Sequence, residues 1–104
     1  MLEALRLTAS ADAQLAYQRE VPIAQVPAEV LYCWPEGLVD EATALAGFRP
    51  DERTALAAFD AEWRTVWDRH ELYMGRHAED VLGTPEWTRL MAAAATALAV
   101  LDAG

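Results

Sequence analysis

Apolar side chains recur along this chain at two spacings, and the clearer one is helical. From Pro50 onward Leu56, Phe59, Trp63, Val66, Trp67, His70 and Met74 lie three or four residues apart. At about 100° per residue they gather on one broad face. Proline in the first turn, followed by Asp51 and Glu52, is a favourable start, because the missing N–H is not needed there and the carboxylates meet the positive dipole end. The pattern predicts one helix over residues 50 to 74, ended by Gly75.

A second helix is announced by Gly83-Thr84-Pro85-Glu86 and predicted over residues 84 to 103, with Trp87, Leu90, Met91, Ala94, Leu98 and Leu101 as its apolar stripe. Its opposite side is unusual. Leu90 to Leu101 carries no charge, and the back offers Ala92, Thr96, Ala99 and Ala103. The uncharged run is too short to span a bilayer. Such a helix either lies centrally among others or uses Ala92, Thr96, Ala99 and Ala103 as a close-contact face in a homodimer.

The remaining segments are less regular. Residues 10 to 20 read as a helix with Ser10 or Asp12 as cap. Residues 40 to 46 read as a short helix closed by Gly47. Pro22 and Pro27 each remove a donor and restrict the preceding residue, which predicts an extended connector over residues 21 to 28. Leu5, Leu7 and Ala9 alternate as in a strand, and Glu29 to Trp34 is an apolar run of either type. The fold expected is all-α: one domain over residues 1 to 104, a small bundle of three to four helices (10–20, 40–46, 50–74, 84–103). The alternative is α+β, with a two-stranded pair from residues 4–8 and 29–34.

Composition narrows what such a bundle can do. Of the 54% hydrophobic residues, 22 are alanine, so the core rests on four Trp, three Tyr, two Phe and the larger aliphatics. The net charge is −9, and all eight basic residues are arginine. That balance argues against direct nucleic-acid binding, which needs a basic face. No stretch reaches the length of a spanning helix, and Met1-Leu2-Glu3 lacks the basic flank of a signal peptide, so no membrane role and a cytoplasmic location are expected. Cys33, between Tyr32 and Trp34, reads as a buried, inert thiol.

Catalytic motifs are missing: there is no glycine-rich phosphate loop, no nucleophile elbow and no CxxC pair. His70-Glu71 opens like a zinc-protease signature, but Met74 stands where the second ligand belongs. A set of His70, His77 and Glu79 or Asp80 is the remaining metal arrangement, and Gly75 separates its two imidazoles. No catalytic residue, cofactor or metal is expected, and the chain reads as a non-enzyme.

Charge is distributed unevenly. Residues 35 to 54 and 55 to 83 carry −3 each, against −2 before and −1 after. Trp34 precedes Glu36, Asp40 and Glu41, and Trp67 lies at the edge of the apolar stripe near Asp60, Asp68 and Glu71. Tryptophan beside carboxylates is what a hot spot for a basic protein would use, the ring supplying buried area and the charges steering. Trp34, Glu36, Asp40, Glu41, Asp60, Trp67, Asp68 and Glu71 are therefore the candidate partner-binding residues. The expected class is an inhibitor of the immunity or antitoxin type; the alternative is a self-associating accessory domain.

Overall fold

A computed structural model describes residues 2–34 and 46–102. Among them there are six α-helices and no strand: α1 (Leu2–Ala9), α2 (Ala11–Glu20), α3 (Val26–Tyr32), α4 (Pro50–Trp67), α5 (Ala78–Val81) and α6 (Pro85–Asp102), with a 3₁₀ turn at His70–Leu72. The all-α expectation holds, and the paired-strand alternative does not. The expected helix at 40–46 lies outside the described residues.

Residues 4–8, a strand in the alternative fold, and residues 26–28, the end of the expected connector, are helical for identifiable reasons. In α1 the buried positions are Leu5 and Thr8, three apart. Thr8 satisfies its hydroxyl by donating to the Ala4 carbonyl at 2.7 Å, so a polar residue occupies the inner face and hides the helical stripe. In α3, Pro27 falls in the first turn, where a missing N–H costs nothing. The extended connector therefore shrinks to the turn before Val26, and residues 29–32 continue the helix.

The long helices start where the sequence indicates. Ser10 caps α2 by accepting from the Ala13 amide at 3.0 Å. The Glu52 side chain reaches back to accept from the Arg49 amide at 2.8 Å, closing the start of α4. Pro85 opens α6, while the Thr84 hydroxyl just before it donates back to the Val81 carbonyl. The end of α4 differs from expectation. It stops at Trp67 rather than residue 74, because the His70 ring folds back and its Nδ1–H donates to the Trp67 carbonyl at 2.8 Å. That carbonyl would otherwise accept from the next helical turn, and the chain tightens into the 3₁₀ turn before Gly75 reverses it at φ +76°.

Helix α6 packs against both α4 and α1. Trp87, Leu90, Ala94 and Ala97 are fully buried, the two alanines allowing close approach of the neighbouring helices. Around this stripe the core gathers Leu5, Val26, Leu31, Leu56, Phe59 and Trp63. Two glutamines complete it. Gln14 is fully buried, donates to the Leu7 and Thr8 carbonyls at 3.1 Å and accepts from the Trp87 indole N–H at 3.0 Å. Gln18, one turn later, donates to the Ala24 carbonyl at 2.6 Å and accepts from the Ala78 amide at 2.9 Å. Helix α2 thus supplies the partners for backbone groups that its neighbours leave open where they end.

Candidate partner-binding surface

The eight proposed contact residues do not form one surface. Glu36, Asp40 and Glu41 lie outside the described residues. Trp34 and Asp60 are buried, at 3% and 2% exposure, and bond to each other: the Trp34 indole N–H donates to Asp60 Oδ1 at 2.8 Å. Asp60 Oδ2 pairs with Arg64 Nε at 2.7 Å. These two residues are core, a correction to their expected role, and the reason is tertiary. Asp60 lies on α4 where α3 ends against it, and the Trp34 ring stands edge-on to Phe59 at 4.7 Å.

Trp67, Asp68 and Glu71 remain at the surface, with Trp67 half-buried and both carboxylates exposed. Trp67 stacks on buried Trp63 at 5.2 Å and on the His70 ring at 4.8 Å. Tyr32, 65% exposed, meets it edge-on at 5.4 Å. A ladder of rings therefore runs from the core to solvent and ends beside two carboxylates. Tyr32 was missed from sequence because residues 29–34 were not assigned to a helix; once α3 is drawn, Val30, Leu31 and Trp34 face inward and Tyr32 and Cys33 fall outside.

The indole N–H groups separate the tryptophans by role. Trp34 donates to Asp60, Trp63 to the Leu31 carbonyl at 2.9 Å and Trp87 to Gln14. The Trp67 N–H has no hydrogen-bond partner among the described residues. A tryptophan with an apolar body held rigidly and a free donor at its edge is a form suited to recognition.

Cys33 corrects another expectation, since it is exposed. Its thiol is nonetheless pushed up, first by partial burial and then by the Glu29 charge, so thiolate formation is disfavoured. Glu29 also accepts from the Tyr17 hydroxyl at 2.9 Å, and that hydrogen bond is the main cause of the raised Tyr17 pKa. His77 Nδ1 lies 3.8 Å from Glu79, and among the described residues no group of three His, Cys, Asp or Glu is placed to hold a metal ion.

On α6 the uncharged positions Ala92, Thr96 and Ala99 are exposed, while Ala103 lies outside the described residues. Among the described residues no helix is long and apolar enough to cross a membrane. The chain matches no protein-family model, no curated protein and no solved structure.

Proposed function

We propose that this protein acts by binding a basic protein partner through the edge built by Tyr32, Trp67, Asp68 and Glu71, in the manner of an inhibitor or immunity-type protein. The observation that carries this reading is the ring ladder ending in Trp67, whose N–H has no partner among the described residues. Its setting adds weight. Asp68 and Glu71 follow the C-terminal end of α4, where the helix dipole disfavours negative charge, so helix stability does not account for them. They do suit a cationic partner, and the net charge of −9 would steer one at long range.

The test is surface plasmon resonance against purified basic proteins encoded beside its gene. Binding is expected to weaken between low and physiological salt, to fall at least about tenfold with Trp67→Ala, and to slow in association with Asp68→Asn and Glu71→Gln. Binding that ignores both salt and Trp67, or no binding to any such neighbour, would refute the proposal.

The exposed, uncharged face at Ala92, Thr96 and Ala99 supports a second reading, self-association through α6. Light scattering decides it: a dimer that Ala99→Glu dissociates supports this reading, and a monomeric wild type ends it.

A further inference from the structure

Behind the 3₁₀ turn, between it, α5 and the start of α6, lies a groove of about 500 Å³, within the range that holds small organic ligands. Its composition contradicts the rest of the molecule: in a chain of net charge −9, three arginines, Arg69, Arg76 and Arg89, line it against two carboxylates. Both carboxylates are already engaged. Glu86 accepts from Arg69 at 2.5 Å and from the Tyr73 hydroxyl at 2.8 Å, and Asp80 accepts from the His77 amide at 2.9 Å.

The cations are less committed. Arg76 is exposed, and its guanidinium has no ion-pair or hydrogen-bond partner among the described residues. Arg89 pairs with Glu62 only through a long, solvent-exposed contact at 3.8 Å, too far for a hydrogen bond, so its donors stay available. Both keep the forked donors that bind a carboxylate bidentately. Leu72, 49% exposed, with Tyr73 and Val81, supplies an apolar wall beside them.

We propose that this groove binds a small monocarboxylate with an aromatic or branched apolar body, its carboxylate held by Arg76 and Arg89 and its body laid on Leu72, Tyr73 and Val81. One net positive charge in the groove matches one negative charge in the ligand, and the field of the whole protein opposes polyanions. The site is separate from the Trp67 edge, and neither proposal depends on the other.

The experiment is an NMR titration of the full chain with phenylacetate and indole-3-acetate, using acetate, phenylacetamide and inorganic phosphate as comparisons. The aryl carboxylates are expected to shift the amide signals of Leu72, Arg76 and Val81 saturably. Acetate, phenylacetamide and phosphate should each bind at least about tenfold more weakly. Arg76→Gln, at an exposed position, should weaken the aryl carboxylates by about tenfold or more with unchanged circular dichroism, and Arg89→Gln gives an independent second readout. No saturable shift, equal binding of phenylacetamide or phosphate, or unchanged affinity in both variants would overturn the proposal.

Discussion

Two tryptophan–aspartate combinations in this protein share residue types and differ in everything else. Trp34 and Asp60 are 26 positions apart, buried and directly bonded, with Arg64 closing the other side of the carboxylate. Trp67 and Asp68 are adjacent in sequence, lie at the surface, and Trp67 keeps its N–H without a partner among the described residues. The contrast teaches that a tryptophan near carboxylates signals either a satisfied core polar pair or a contact surface. Which one depends on whether another element covers it.

The largest effect that tests the contrast is removal of the carboxylate. Asp60→Ala leaves the Trp34 N–H buried without an acceptor and is expected to lower unfolding free energy by about 3 kcal/mol. Asp68→Ala should stay within about 0.5 kcal/mol and even stabilise slightly, since it removes an acid from a helix C-terminus. Denaturant unfolding measures both. Equal costs would show that the two combinations are alike.

A smaller separation is expected from one substitution made twice. Trp34→Phe loses a buried hydrogen bond to the Asp60 side chain and should cost about 1.5 kcal/mol, whereas Trp67→Phe should cost under about 0.5 kcal/mol. Trp67→Phe is then also the cleaner variant for binding measurements, because the fold survives it.

The smallest effect at neutral pH concerns Tyr73, where burial first, and then the Glu86 hydrogen bond and charge, push the hydroxyl up to about 12 against the resistance of Arg69 and Arg89. A raised pKa means the protonated form is favoured by folding. Its contribution is complete below the ordinary value of 10.0 and is lost as pH rises toward about 12. Absorbance titration should therefore find that Tyr73→Phe removes the phenol titrating at about 12 while the raised Tyr17 remains, and the wild type's stability advantage over Tyr73→Phe should shrink across that window.

The parts of the fold that were legible in sequence are those fixed by local chemistry. Ser10, Pro50 and Pro85 act within one turn of where they stand, and the stripe Leu56, Phe59, Trp63 and Val66 is buried as its spacing requires. Misreadings arose where polar residues turned inward. Thr8, Gln14 and Gln18 occupy buried positions that a hydrophobic pattern scores as solvent, because each finds its hydrogen-bond partners only across the fold or along its own helix. The same blindness placed Asp60 at the surface, whereas Cys33 was placed in the core because α3, which turns it outward, was not drawn. The arginine groove had no linear signature, since Arg69, Arg76 and Arg89 meet only when the 3₁₀ turn bends the chain back onto α6.

By itself the sequence favoured an all-α fold over a paired-strand alternative, and determined the starts of the three longest described helices and an acidic field with an uncharged run from Leu90 to Leu101. Those follow from periodicity, capping and charge, which act over one turn or add up regardless of position. Tertiary structure alone decided which tryptophan is closed and which open, and that Arg69, Arg76 and Arg89 share a groove. Each of these turns on a contact between residues distant in sequence, where burial makes an unmet hydrogen bond costly and so selects one partner.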